Sequence, residues 1–471
     1  MEAFLKSYNN FNVKLFQSLT DNNIQPRKNS GLGLWLAPLV GLSAAITILR
    51  EDSSYSEICL LTGITGIGLV MSCLCLILRL STETAAVKDF QVLYFLPAMF
   101  TSVLFLLFGE KGLLVSVTWG LGVGTFGTWG ILQLMSYFPG CFTIGEASAV
   151  MQAATLFLLS TAANIPLRYH LPPIHNQDIA TVILQVAVLF VATVAILCNA
   201  FPLLRSPGPF YAISFGILLL GAVPLLHLLL DQSPLLWLLG FIFEKIDRVF
   251  MVLYWLLCLA LGIGVISYQI LCNSKATTSA RKSFHVLALM VYIPGLISEP
   301  TLLYVASGLV MALFLMLELM RLCNVPPLCE VLQQGFSVFG DEKDTLISLT
   351  PLYLLAGLSF PLWLPASNLT LLSLLSGVLT IGIGDTAASV VGSKYGKHKW
   401  SGSLKSVEGT VACISSQLFV LYSLASFGFF DDFWLLLRAT LAVIAVSFVE
   451  AWTDQVDNLV LPILTYLVFV V

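Results

Sequence analysis

The sequence predicts an all-α, polytopic integral membrane protein with about 15 transmembrane helices. Three observations carry that prediction. Apolar residues make up 58% of the 471-residue chain and charged residues only 10%, where a soluble domain carries roughly 25% charged. The mean hydropathy is +0.93, more apolar surface than a chain of this size can hide from water. The apolar residues also gather into runs near 20 residues long, the length that crosses a ~30 Å hydrocarbon layer as a helix.

In chain order the runs lie at 33–49, 57–79, 92–108, 112–136, 146–164, 179–204, 209–230, 249–272, 284–299, 302–320, 346–364, 369–391, 409–427, 432–449 and 458–471. A shorter run at 234–243 fits no full span. Pro172-Pro173, Ser206-Pro207-Gly208 and Pro326-Pro327 punctuate the breaks. Residues 1–30 are polar, carry Lys6, Lys14, Arg27 and Lys28, and lack the apolar centre of a cleavable signal. The first anchor is therefore expected at 33–49.

The net charge of −4 argues against a nucleic-acid partner. Cysteine usage argues against a disulfide framework. Cys73, Cys75, Cys198, Cys258 and Cys413 sit inside apolar runs, where cysteine acts as a small hydrophobe. Cys323 and Cys329 flank the Pro-Pro turn without a second Cys or His pair to complete a zinc site.

The chain divides by the character of its loops. Residues 1–272 are nearly continuous apolar helix with short polar breaks, an N-terminal, lipid-facing transmembrane region. From 273 to 471, charged and glycine-bearing loops recur between spans, and chemistry is expected there. Lys275, Arg281 and Lys282 precede one span, and Lys394, Lys397, Lys399 and Lys405 crowd one loop. The positive-inside rule places both in the cytosol. Two spans separate each of the loops at 273–283, 321–345, 392–408 and 450–457 from the next, so all four share that side. The sequon at Asn368 falls on the opposite side.

The densest chemistry runs from Thr380 to Thr410. Asp385 stands in an otherwise apolar helix, and intramembrane carboxylates are rare and usually functional. Gly384, Ala388 and Gly392 recur every four residues and form a small-residue face for a close helix or ligand. The four lysines offer positive charge to a polyphosphate, and Glu408-Gly409-Thr410 opens the next span. Carboxylates here would supply hard oxygen ligands to Mg²⁺ or a similar ion.

Two acidic sets join this stretch by topology. Asp341 and Asp344 are three apart and share a face if their stretch is helical. Glu450, Asp454 and Asp457 are spaced i, i+4, i+7, which aligns them on one helical face at a membrane boundary. Mutual repulsion makes a bound cation a reasonable expectation. Arg281 and Lys282 suffice as a basic anchor; His285, one turn further on, suits a phosphate contact or proton relay. No Walker A sequence occurs.

At these residues the sequence resembles the dolichol kinase family, within the wider polyprenol and phytol kinase group. Arg281-Lys282-x-x-His285, Asp341-Glu-Lys-Asp344, Gly384-Asp385-Thr-Ala-Ala-Ser389, Glu408-Gly409-Thr410 and Thr453-Asp454-Gln-x-Asp457-Asn458 carry the resemblance in that order. Phe142-Thr-Ile-Gly-Glu-Ala147 adds a match in the N-terminal half and favours dolichol kinases over the shorter phytol kinases. The family usually has two adjacent lysines before the Glu-Gly-Thr element, whereas here Leu404 precedes Lys405.

The resemblance implies a CTP-dependent kinase of the endoplasmic reticulum membrane that makes dolichyl phosphate for protein glycosylation. It implies CTP as phosphate donor, a divalent metal such as Mg²⁺, and dolichol or another polyprenol housed among the spans of 1–272. Arg281, Lys282, Lys394, Lys397, Lys399 and Lys405, with Gly384, Gly409 and Thr410, would form the nucleotide site. Asp341, Asp344, Glu450, Asp454 and Asp457 would hold metal. Asp385, His285 and Glu408 would carry the chemistry, with Asp385 either binding metal or accepting the alcohol proton.

Two other functions compete. A phosphatidate cytidylyltransferase would use the same nucleotide but attack its α-phosphate; its usual Lys-Asp and Pro-Gly-His-Gly-Gly signature is absent. A transporter would use the buried acids as ion sites, but the halves show no inverted pairing and the charge is one-sided.

Overall fold

The computed structural model describes residues 2–50, 57–82, 92–272, 276, 278–340, 343–365, 369–430 and 432–470. Asp341 and the sequon asparagine Asn368 lie outside the described residues. What is described is all-helical; a lone bridge between Lys399 and Ser406 is the nearest approach to a strand. That follows from a solvent without hydrogen-bond partners, where a helix satisfies its own backbone.

Among the described residues, eight helices are long and apolar enough to cross a membrane, including Glu57–Ser81, Ile144–His170, Asn176–Ala200, Val407–Ser426 and Phe433–Trp452. Each corresponds to one of the fifteen apolar runs. Several other runs form shorter or interrupted helices. The run at 33–49 is turns followed by the short helix Leu39–Ile46, because Gly33 takes a positive φ of 65° and Pro38 stands at the helix start. The run at 369–391 becomes the one-turn helix Leu371–Leu374, a π-helical stretch Val378–Asp385, and the helix Thr386–Tyr395. Apolar run length measures burial, and these segments are buried by protein rather than by crossing lipid unbroken.

The two parts of the chain share a core. Leu15 and Leu19, from the polar-looking N-terminal helix Glu2–Asp21, are fully buried together with Ile144, Ile347, Tyr353, Val456 and Val460. The π-helical stretch packs against Val407–Ser426 and Asp457–Val470. There the small-residue face expected from Gly384, Ala388 and Gly392 serves helix packing. A side chain on Gly384 would strike Gln417 and Cys413, and one on Gly409 would press on the Ala388 carbonyl at 2.9 Å.

Candidate functional site

The four polar loops converge on one cleft of about 350 Å³. Arg281, Lys282 and His285 enter it from the helix Thr278–Ser298, Lys343 from the next loop, Thr350 from the start of the helix Leu349–Trp363, and Asp385 from the π-helical stretch. Lys399, Lys405, Gly409 and Thr410 come from the lysine loop and the helix behind it, and Glu450, Asp457 and Asn458 from the C-terminal end. The span counts led to the expectation that these loops share one side; what the structure shows is that residues from all four line one cleft.

Asp385, Glu450 and Asp457 form the centre. Each offers a carboxylate oxygen within 4.8 Å of the others, and Asp385 and Glu450 are buried at 6% and 3% exposure. Lys282 pairs with Asp385. Lys405 Nζ donates to Glu450 Oε1 at 2.6 Å, to Asp457 Oδ2 at 3.1 Å and to the Glu450 carbonyl at 2.7 Å. Burial alone would lower the Lys405 ammonium; the Asp457 and Glu450 carboxylates outweigh it and hold it above its ordinary range. Three carboxylates against two lysines leave the cluster with one uncompensated negative charge. Three carboxylates so placed, two buried and one half-buried, are a hard-oxygen donor set that fits a divalent cation.

His285 is buried at 6% exposure, and neither ring nitrogen hydrogen-bonds to a described residue. Its Nε2 lies 3.5 Å from Asp385 Oδ2, beyond a good hydrogen bond but close enough to share a proton-accepting position. Asp457 Oδ1 is likewise buried without a partner. Unsatisfied polar atoms are costly in a protein interior, so their convergence on one cleft marks a place built for a ligand.

The lysine loop is a short hairpin. Trp400 N donates to the Lys405 carbonyl at 3.1 Å, Val407 N to the His398 carbonyl at 2.9 Å, and Gly402 supplies the positive φ of 77° that the tip needs. Ser403 Oγ donates to the Ala451 carbonyl at 2.7 Å, and Trp400 packs on Trp452 at 4.8 Å between ring centroids. The hairpin is thereby pinned to the end of Phe433–Trp452. Lys405 and Lys399 reach the cleft, whereas Lys394 and Lys397 are exposed and do not line it. Glu408 turns away from the carboxylate cluster and pairs with His398 at 2.7 Å, closing the base of the hairpin.

The metal-ligand expectation needs two corrections. Glu450, Asp454 and Asp457 do not share one helical face, because the helix ends at Trp452 and a new one starts at Asp457. Asp454 sits in the break, where it accepts from the Gly31 amide and from Gln455 Nε2. Asp385 takes the third place in the cluster instead. Of the second acidic set, the described residues Lys343 and Asp344 are not helical. Asp344 precedes the helix Leu349–Trp363 and accepts from Leu349 N at 2.9 Å, Thr350 N at 3.0 Å and Thr350 Oγ1 at 2.6 Å, the bonding of a helix cap.

Sequence reasoning passed over Lys343, whose Nζ donates to the Gln455 carbonyl at 2.8 Å from inside the cleft. Its position beside two named acids was a signal. Arg27 was also unmarked as a site residue. It is buried and pairs with Glu146 at 2.7 Å, and nothing in its polar surroundings announces that.

Residues 129–353 match the dolichol kinase family model, a stretch that holds Glu146, His285 and Lys343. The chain is 34% identical to human dolichol kinase over 362 residues, covering 70% of this chain and 65% of the human protein. The chain is a relative of the dolichol kinases. It is 36% identical to a dolichol kinase of Arabidopsis thaliana over 247 residues, covering 50% of this chain and 43% of that one. Against a dolichol kinase of Saccharomyces cerevisiae it is 32% identical over 219 residues, 46% of this chain and 40% of that one. The match thus spans just under two thirds of the human dolichol kinase and less of the plant and yeast ones. No solved structure matches.

Proposed function

We propose that this chain is a CTP-dependent dolichol kinase, transferring the terminal phosphate of CTP to dolichol from the cytosolic face of the endoplasmic reticulum membrane. The observation that carries this reading is the cleft in which three carboxylates, Lys282, Lys405 and the buried His285 meet, in a relative of the dolichol kinases. A catalyst of phosphoryl transfer needs little covalent chemistry; it needs aligned reactants and neutralised charge.

The residues divide the task as follows. Lys282, Lys399 and Lys405, with Arg281, bind the triphosphate and stabilise charge on the departing CDP. Thr410 and Gly409 line the nucleotide side of the cleft. Asp385, Glu450 and Asp457 would hold a divalent cation, Mg²⁺ being the usual choice, which would neutralise phosphate oxygens when bound. The alcohol oxygen forms its bond to the γ-phosphorus as the bond from that phosphorus to the β–γ bridging oxygen breaks. His285 takes the alcohol proton. Neither ring nitrogen makes a hydrogen bond to a described residue, Nε2 standing 3.5 Å from Asp385 Oδ2, whereas Asp385 is committed to Lys282. Residues 1–272 supply most of the lipid-facing helices and the space for the polyprenyl tail, and 273–471 supply the chemistry. The short apolar helices count as membrane-embedded segments, which brings the spans toward the fifteen apolar runs.

The test is label transfer in isolated membranes or purified protein supplied with polyprenol. Label on the γ-phosphate of CTP should arrive on the polyprenol. Label arriving from the α-phosphate on a lipid would identify a cytidylyltransferase instead, and transfer of neither would refute both.

A further inference from the structure

We propose that the buried Arg27–Glu146 pair is a positioning device for the carboxylate cluster. It holds the helix break before Asp457 in the shape that turns Asp457 toward Asp385 and Glu450, and so sets how tightly the cluster holds a divalent cation. The inference rests on the cation part of the function proposed above.

Glu146 is the third residue of the helix Ile144–His170, and its environment exceeds what a helix start requires. A capping box uses one carboxylate oxygen to satisfy the backbone amide of the capping residue. Glu146 Oε2 does this, accepting from Thr143 N at 3.2 Å. Its other oxygen accepts from Arg27 Nη2 at 2.7 Å and from Val456 N at 3.0 Å. Val456 immediately precedes Asp457 and lies 310 residues from Glu146 in the chain. Glu146 is wholly buried and Arg27 nearly so, at 0% and 5% exposure. One carboxylate thus satisfies the helix start, the N-terminal arginine and the amide beside a cluster carboxylate.

Independent contacts fasten the same turn. Thr143 Oγ1 hydrogen-bonds Gln455 Oε1 at 2.6 Å, and Gln455 Nε2 donates to the Gly31 carbonyl at 3.2 Å. Gly145 N donates to the Leu32 carbonyl at 3.0 Å. Two glycines let these backbones approach. A side chain on Gly33 would overlap Gln455, and one on Gly145 would overlap the Gly33 carbonyl. The N-terminal segment, the start of the Ile144–His170 helix and the 453–456 break are therefore one locked unit beside the cleft. A contact of this kind sets ligand geometry without touching the ligand, and losing such an outer contact typically weakens metal binding about 10–100-fold.

The experiment uses the full chain in detergent and follows Mn²⁺ binding by electron paramagnetic resonance, with CTP kinetics on the same preparations. Glu146→Gln keeps the side chain's size but removes the charge facing Arg27 and turns an amide N–H toward Thr143 N. It should weaken Mn²⁺ binding by about 10–100-fold and lower kcat, while the KM for CTP stays within about twofold because the lysines that grip the phosphates are not touched. A merely structural role would lower the folded yield or Tm and leave Mn²⁺ affinity per folded molecule unchanged; that result overturns the proposal. Should Glu146→Gln not fold, Thr143→Val is compared with Thr143→Ser. The valine variant should loosen Mn²⁺ binding and the serine variant restore it, and equal affinities in the two overturn the proposal. A parent protein that binds Mn²⁺ and loses it on Glu146→Gln, yet phosphorylates no polyprenol, would sink the kinase function and leave the positioning role standing. A parent protein that binds no Mn²⁺ overturns the positioning role.

Discussion

Replacing Lys405 with glutamine should move nucleotide use and cation binding in opposite directions. Lys405 is the cation that joins the hairpin to the carboxylate cluster, donating to both Glu450 and Asp457. Three carboxylates and two lysines give the cluster a net charge of −1, and Lys405→Gln makes it −2. A charge-assisted hydrogen bond contributes about 1.5–3 kcal/mol. If one such bond passes to the triphosphate on binding, its loss should cost roughly 10–100-fold in rate at low CTP, since about 1.4 kcal/mol is a factor of ten. The lysine side chain is 30% exposed, so the lower end of that range is expected. The added negative charge should tighten Mn²⁺ binding several-fold. The assay is initial rate against CTP at saturating polyprenol, paired with an Mn²⁺ titration of the same protein. Parental CTP dependence would show that the phosphates are gripped elsewhere. Weaker CTP use together with weaker Mn²⁺ binding would also refute the reasoning, because it would mean that Lys405 holds the cluster together rather than facing the nucleotide.

Other residues give sharper and simpler outcomes. Asp385→Asn keeps shape and removes charge, and should abolish phosphoryl transfer while folded protein is still recovered; near-parental turnover would remove Asp385 from the site. His285→Gln should lower kcat by about 10²–10⁴-fold, the usual worth of a general base; near-parental turnover would assign the proton elsewhere. Cysteines placed singly at 275, 343, 398 and 455 in a chain without reactive native thiols should label with an impermeant reagent only from the cytosolic face; labelling of any one from the lumen would break the shared cleft. Gly145→Ala puts a methyl group into the Gly33 carbonyl, and should lower Tm or prevent folding, since overpacking of this kind typically costs about 1–3 kcal/mol.

Some of this was legible in the sequence and some was not. Asp385 stood out because a lone carboxylate in an apolar run has few structural explanations. The convergence of four loops followed from counting spans, which is arithmetic on run lengths and needs no contact information. The acidic set at 450–457 misled by its periodicity. A spacing of i, i+4, i+7 fits one helical face, but the helix ends at Trp452, and the break that follows is held by a carboxylate 310 residues away that accepts from the Val456 amide. No local pattern encodes such a partner. The same limit applies to Asp344. Its spacing from Asp341 suggested a shared face, and its true partners are the amides of Leu349 and Thr350 just downstream.

The Thr143-x-x-Glu146 pattern is the instructive middle case. As a capping box it is readable and local, and the structure contains it, with the Glu146 amide donating to Thr143 Oγ1 at 3.2 Å. A capping box on a surface helix leaves both of its side chains in water, where they can be exchanged at little cost. Here Thr143 and Glu146 are both at 0% exposure, and burying a carboxylate requires compensation by charge and hydrogen bonds. Arg27 and the Val456 amide supply it. The compensation binds the N-terminal segment and the loop beside Asp457 to one another, so neither part can shift without stranding a buried charge. For that reason residues 1–272 cannot be only a lipid-facing scaffold: part of the geometry of the carboxylate cluster is fixed from within them.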